Sequence, residues 1–103
     1  MIVVTGEVIA RPETFDELKR VSLEHVHRSL AEPGCLHHSV QVSCEDPLKL
    51  VFVERWADKA ALKAHFLVPA SGAFMRDARK LAASAPPIAI YDTVEMSVED
   101  ILA

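Results

Sequence analysis

The sequence predicts an α+β fold, a ferredoxin-like β-α-β-β-α-β arrangement with an antiparallel sheet. Three observations lead to this prediction. β-branched runs occupy both ends of the chain, two alternating segments flank a short turn at 45–47, and helical apolar spacing fills the two stretches between them.

The first strand covers residues 2–10, whose apolar residues fall on both alternating faces. Pro12 ends it and suits the first turn of a helix. Thr14 and Glu17 have the spacing of a capping box, and residues 32–34 (Glu-Pro-Gly) stop the helix. Its apolar stripe comprises Phe15, Leu18, Val21, Val26 and Leu30.

The middle of the chain predicts a β-hairpin. Residues 35–44 alternate between apolar and polar, with Leu36 and His38 assigned to one face. The turn at 45–47 leads into a third strand over residues 50–56.

A second, interrupted helix is predicted after this hairpin. Asp58 is a plausible N-cap, Pro69 interrupts the helical pattern, and the Pro86-Pro87 pair ends it. Residues 88–98 are then expected to form the last strand.

The uncovered sheet face predicts self-association. Helices in this arrangement cover one face, yet strands one, three and four are apolar on both faces. An exposed apolar face of that size is unusual in a monomer, and a second copy can cover it by two-fold symmetry. We therefore expect one domain over residues 1–103 that forms a homodimer.

Composition narrows the function classes. The formal net charge is −4 and the cations are scattered, which is atypical of nucleic-acid binding. No apolar run approaches a membrane span and no signal peptide is recognisable, so we expect a cytoplasmic protein without membrane contact. Cys35 and Cys44 are about 30 Å apart if one extended strand carries both, so we expect reduced thiols.

The histidines do not predict a metal site. His25 and His27 are two apart on a helix and point in different directions. His37 and His38 are adjacent on a strand and face opposite sides. No histidine, cysteine or carboxylate spacing resembles a zinc or iron motif, and we expect no metal.

The strongest candidate site involves Glu54. It shares a strand face with Leu50, Phe52 and Trp56, and a carboxylate among apolar side chains requires a partner. The nearest candidate is His65 on the following helix. The pair either moves a proton in catalysis or merely ties the helix to the sheet, and spacing alone does not decide between these roles.

The order of these motifs resembles the antibiotic biosynthesis monooxygenase domain family, from about Ile2 to Val98. Within that family the chain looks most like small bacterial quinol-monooxygenase-like and autoinducer-processing members. The resemblance rests on Glu32-x-Gly34-Cys35-Leu36, Glu45-Asp46-Pro47, Phe52-x-Glu54-x-Trp56-x-Asp58, and Ala64-His65 followed by Pro69.

The resemblance implies a dimeric α+β barrel with one pocket per subunit, between sheet and helices. Members oxidise hydroquinones or polycyclic phenols with O₂ and no flavin, haem or metal, so no cofactor is expected. Others degrade haem, process a phosphorylated signalling sugar, or have no assigned activity. The positions that carry the family pattern here are Glu54, Trp56 and His65.

Departures from the family pattern disfavour haem degradation. The chain has no asparagine, whereas the haem-degrading branch uses one on the first strand. His65 replaces the pocket tryptophan of that branch, and residues 74–77 (Phe-Met-Arg-Asp) stand where its haem-ligand histidine is expected. Residues 69–71 (Pro-Ala-Ser) also replace the Pro-His-Phe of many relatives.

The resulting hypothesis is oxidation of a small hydroquinone or phenolic compound by O₂. His65, held by Glu54, accepts the phenolic proton, and His38 adds a polar contact. Tyr91 is expected on the dimer side. In this hypothesis the ring is held by Trp56, Phe52 and Phe74. The alternative for Trp56 and Phe74 is that they only fill the core.

Two other function classes stay open. One is a non-oxidative enzyme on the same scaffold, either an isomerase or an enzyme that processes a signalling molecule. The other is a dimer that binds a small molecule without catalysis, and the fold does not decide among the three. An RNA-binding function is set aside, because residues 49–53 lack the glycines and two of the aromatics of that strand motif.

Overall fold

The computed structural model describes all residues, 1–103. It contains five strands and four helices, in the α+β order expected from the sequence. The bounds are β1 Ile2–Ala10, α1 Phe15–Leu30, β2 Cys35–Val42, β3 Lys49–Trp56, α2 Lys59–Leu67, α3 Pro69–Leu81, β4 Ala82–Ser84, β5 Ala89–Asp92 and α4 Val98–Leu102.

The sheet is antiparallel with the order β2-β3-β1-β4, and β5 also pairs with β1. This is the ferredoxin-like order predicted above. Residues paired across antiparallel strands share a face. The register Ile2↔Trp56, Val4↔Glu54 and Gly6↔Phe52 therefore places the odd-numbered residues of β1 on the opposite face, away from the helices.

The core lies between this sheet and the helices. One cluster joins Leu50 and Phe52 of β3 to Leu18 and Val26 of α1 and to Phe74 of α3, all buried. A smaller cluster contains Val4, Trp56 and Leu62. The two clusters fix α1, α2 and α3 over one face of the sheet.

The predicted capping box at the start of α1 is wrong. Thr14 occupies the N-cap position, but its side chain makes no cap hydrogen bond. Its hydroxyl instead donates to the Leu81 carbonyl at 2.6 Å, which ties the start of α1 to the end of α3. Asp58, by contrast, caps α2 as predicted, since its carboxylate accepts from the Ala61 amide at 2.8 Å.

The prediction for the end of the chain is also wrong in part. Within residues 88–98 only β5 is a strand, and it pairs with residues 2–5. β4 pairs with Ile9 and Ala10 and lies at 82–84, in the stretch where the helical pattern was expected to continue up to Pro86. Pro86 and Pro87 lie between β4 and β5 and have no amide hydrogen to donate to a neighbouring strand. The sequence reasoning also missed α4, whose start is stabilised by a Ser97–Asp100 capping box.

A register shift in β2 corrects the predicted strand alternation. Cys35 pairs with Trp56, but the next pair joins His37 and Arg55, so Leu36 is the extra residue of a β-bulge. Leu36 is consequently 56% exposed while His38 is buried, although both were expected on one face. The bulge brings His38 directly opposite Glu54.

None of the helices is both long enough and apolar enough to cross a membrane.

Candidate active site

A cavity of about 440 Å³ lies between the sheet and the helices. Its walls come from β1, β3, α1, α2, α3 and the segment 85–88 that separates β4 from β5. Ile88 approaches β1 so closely that a Cβ on Gly6 would lie 3.0 Å from its Cγ2 atom. Glycine at position 6 therefore allows Ile88 to pack against β1 and form this wall of the cavity.

The cavity brings four of the six predicted site residues together. Glu54, His65, Phe52 and Phe74 all line it. Trp56 does not, because its ring is fully buried in the cluster with Val4 and Leu62. His38 is not part of the lining either.

Glu54 is held by two side chains on the sheet. Its Oε1 atom accepts a 2.9 Å hydrogen bond from the Trp56 indole N–H and lies 3.3 Å from Nε2 of His38. Burial alone would raise the pKa of Glu54, but these two partners and the nearby His65 outweigh it and lower the pKa. Trp56 and His38 therefore keep a carboxylate charged at the cavity wall.

His65 has a different carboxylate partner from the one expected. Its Nδ1 atom lies 3.0 and 3.2 Å from the two carboxylate oxygens of Glu32, which follows α1, so the predicted Glu54–His65 hydrogen bond is replaced. An ionised carboxylate only accepts hydrogen bonds, so Nδ1 carries the proton. Nε2 of neutral His65 is then left with a free lone pair.

Gly34 sets the position of this pair. Its φ of 79° lies in the left-handed region, and a Cβ there would lie 2.6 Å from the Ala61 Cβ. The chain therefore turns sharply between Glu32 and β2 while α2 packs directly against the turn. This close approach places His65, on α2, within reach of Glu32.

Sequence reasoning missed His25, which also lines the cavity. Its ring stacks on Phe74 with centroids 4.1 Å apart and planes 7° from parallel. Burial, with the neighbouring His38 and His65, lowers the pKa of His25 to about 3. Helical spacing could have pointed to His25, because it lies on the same buried face of α1 as Leu18, Ser22, Val26 and Ser29.

Three histidines meet beside the cavity: His25 of α1, His38 of β2 and His65 of α2. One ring nitrogen of each lies within 4.8 Å of the others. The expectation of no metal site rested on spacing along the chain, whereas these three histidines are distant in sequence. His27 and His37 do point elsewhere, but the fold groups one member of each pair with His65.

His65 is placed to accept a proton from the hydroxyl of an aromatic ring bound in the cavity. The cavity offers aromatic walls, the carboxylate of Glu54, and the imidazole of His65, whose tautomer is fixed by the hydrogen bond to Glu32. An oriented base beside an apolar cavity suits proton abstraction from a weakly acidic hydroxyl.

The profile of the antibiotic biosynthesis monooxygenase family matches residues 1–77, about three quarters of the chain. The chain belongs to this family. An uncharacterized protein of Synechocystis sp. is 31% identical over 94 residues, which cover 91% of this chain. The match covers 64% of the length of that relative.

Solved structures share the fold of this chain. A Deinococcus radiodurans protein superposes with a TM-score of 0.89 and 20% identity, over 94% of this chain and 96% of its own. A solved antibiotic biosynthesis monooxygenase gives a TM-score of 0.83 and 26% identity, over 92% of this chain and 100% of its own. These superpositions show that the chain shares the fold of both solved structures.

Proposed function

We propose that this chain is a monooxygenase that oxidises a small hydroquinone or phenolic compound with O₂ and needs no cofactor for that reaction. The observation that carries the proposal is the His65–Glu32 pair at the wall of an apolar cavity. Family membership supports the oxygenase class, and the cavity supports a small aromatic substrate.

In the proposed reaction the phenolic proton passes to Nε2 of His65. Glu32 stabilises the imidazolium that forms, because its carboxylate already accepts from Nδ1. The resulting electron-rich anion reduces O₂. One oxygen atom enters the ring and the other leaves as water. A hydroquinone that becomes a hydroxyquinone supplies all four electrons, so the balance needs no external reductant.

The aromatic walls position the substrate ring. Phe52 and Phe74 are buried at the cavity surface with ring centroids 6.0 Å apart. We propose that the substrate ring packs against them, as aromatic rings favour such contacts in dry pockets. Glu54, held by Trp56 and His38, supplies a negative charge that favours the imidazolium of His65.

The test is oxygen consumption by chelator-treated protein with a panel of hydroquinones and anthrone-type phenols. We expect uptake above autoxidation that falls at least about 100-fold in His65→Gln, the range typical of losing a general base. His27→Gln is the matched control, because His27 is exposed on α1. Uptake that survives His65→Gln would rule out this base, and product formation without O₂ uptake would instead indicate an isomerase.

We also propose a homodimer through the sheet face that the helices leave uncovered. This face carries Val3, Val51 and Val53, with Tyr91 paired to Val3 and 53% exposed. Sedimentation equilibrium should give twice the mass of one chain, and Val53→Asp should give a monomer. Exposed Lys59→Asp is the control, and a monomeric wild type would contradict the proposal.

A further inference from the structure

Three buried imidazoles from three different elements converge on one point. The ring centroids of His25, His38 and His65 lie 5.2, 5.3 and 5.7 Å apart in pairs. The three residues are 5%, 3% and 3% exposed. Each buried imidazole brings polar nitrogens out of water, which costs free energy unless those nitrogens find partners.

Three of the six ring nitrogens of this cluster have no hydrogen-bond partner. Four buried side-chain nitrogen or oxygen atoms in the chain have no hydrogen bond, and three belong to the cluster: Nδ1 of His25 and both ring nitrogens of His38. Nε2 of His38 has only the 3.3 Å ion-pair contact with Glu54. Because buried polar atoms are nearly always satisfied, this concentration points to a ligand that accepts lone pairs.

We propose that His25, His38 and His65 bind one divalent transition-metal ion. Neutral imidazole is a preferred ligand of zinc, copper, nickel and iron. Ligand nitrogens of a tetrahedral ion lie about 3.3 Å apart, given metal–nitrogen bonds of ~2.0–2.1 Å. The ligand atoms now lie within 4.8 Å of one another. Side-chain movements of about 1 Å would bring them to the separation that a tetrahedral ion requires.

The surroundings complete the site. Glu32 accepts from Nδ1 of His65, as carboxylates commonly do behind a metal-ligating histidine, and leaves Nε2 to bind the ion. Glu54 adds negative charge beside His38. Since His25 and His65 line the cavity, a fourth coordination position faces it and is open to a small ligand.

This inference goes beyond the proposed function and does not rest on it. Nε2 of His65 has one lone pair, so it either binds the ion or accepts the substrate proton. A bound ion therefore withdraws the base from the proposed reaction, and the ion-free protein is the form that turns over by that route.

The experiment is titration of chelator-treated protein with Co²⁺, followed by its visible d–d absorption. We expect a saturable band at one ion per chain in the wild type. His25→Gln and His38→Gln should each abolish saturation, and Glu32→Gln should weaken binding about 10–100-fold. His27→Gln and His37→Gln are matched controls and should bind as the wild type does. His27 is two positions from His25 and His37 is next to His38, but both lie outside the cluster.

Folding is checked separately from binding. Zn²⁺ in excess should raise the Tm of the wild type and of His27→Gln, because an ion that binds only the native state stabilises it. Circular dichroism should show that His25→Gln and His38→Gln fold like the wild type. Zn²⁺ should not raise the Tm of either variant. No saturable Co²⁺ band in the wild type, or a band that persists in both ligand variants, would overturn the proposal whether or not the chain consumes oxygen.

Discussion

Nδ1 of His65 on α2 lies 3.0 Å from a carboxylate oxygen of Glu32, 33 residues earlier in the chain. The two side chains are 4% and 18% exposed, so solvent screens the contact only weakly. Glu54, the partner expected from the sequence, is held instead by Trp56 and His38. The site thus has two carboxylates with separate partners rather than a single pair.

Glu32→Gln should lower the kcat of the proposed oxidation about 10-fold with little change in KM. A neutral amide can still contact Nδ1 but stabilises an imidazolium less than a carboxylate does. Glu32→Ala should lower kcat further, since it also frees the ring. Steady-state oxygen uptake measures both variants.

The control for this prediction is Glu24→Gln. Glu24 is exposed and pairs only with Arg20 on the surface of α1. A kcat for Glu32→Gln equal to that of Glu24→Gln would show that Glu32 does not position His65 for turnover.

Gly34→Ala should reduce the free energy of unfolding by about 2–3 kcal/mol. The new Cβ requires a left-handed backbone and lies 2.6 Å from the Ala61 Cβ. Ala61→Gly removes the collision but not the backbone strain at position 34. In an Ala61→Gly background, Gly34→Ala should therefore still destabilise the protein, but by less than it does in the wild type. Urea unfolding measures each variant.

Gly72→Ala is the matched control, because its added Cβ would meet only Arg76 Nη1 at 3.5 Å, an ordinary contact. Alanine in α3 should stabilise the protein by up to about 1 kcal/mol. Similar effects of alanine at positions 34 and 72 would contradict the role assigned to Gly34.

The free energy of unfolding of Ser22→Ala should exceed that of Ser29→Ala by about 1–2 kcal/mol. Both serines are fully buried on α1, but the Ser22 hydroxyl has no partner whereas that of Ser29 donates to the His25 carbonyl at 2.7 Å. Helix propensity changes equally in both, so the difference isolates the hydrogen bond. Equal unfolding free energies would mean that Ser22 does have a partner in solution.

Cys35 should react with a disulfide reagent at least about 10-fold more slowly than Cys44 at neutral pH. Burial raises the pKa of the Cys35 thiol, and the carboxylates of Glu32 and Glu54 raise it further. Less reactive thiolate is therefore present below that pKa, and the Cys35 rate should increase as the pH rises. Cys44 is exposed.

The reaction of the wild type should have a fast and a slow phase, and single-cysteine variants show which thiol gives each. Cys44→Ser should remove the fast phase and Cys35→Ser the slow one. Two equally fast thiols in the wild type would contradict the burial of Cys35.

The sequence predicted the elements whose signals are local. The strand β1, the helix α1, the hairpin and the proline break between α2 and α3 follow from alternation, helical spacing and proline positions. Leu36 was misplaced because a bulge depends on the neighbouring strand. The pairing of β1 with two short strands likewise depends on contacts that local patterns do not encode.

The candidate site was predicted only in part for the same reason. Glu54 and His65 stood out because a charged or polar residue interrupted an apolar face. His25 and Glu32 did not, since His25 lies on a mixed stripe of α1 and Glu32 follows the helix in an ordinary turn. Their roles arise from distances across the fold.

The interruption between β4 and β5 has a consequence for the wall of the cavity. Residues 6–8 pair with β3 on one side but with neither β4 nor β5 on the other. Extending either short strand through Pro86 and Pro87 cannot close this part of the edge, because proline donates no main-chain hydrogen bond. Residues 85–88 therefore cover this edge without a strand ladder, and the wall depends on side-chain packing such as that of Ile88 against Gly6.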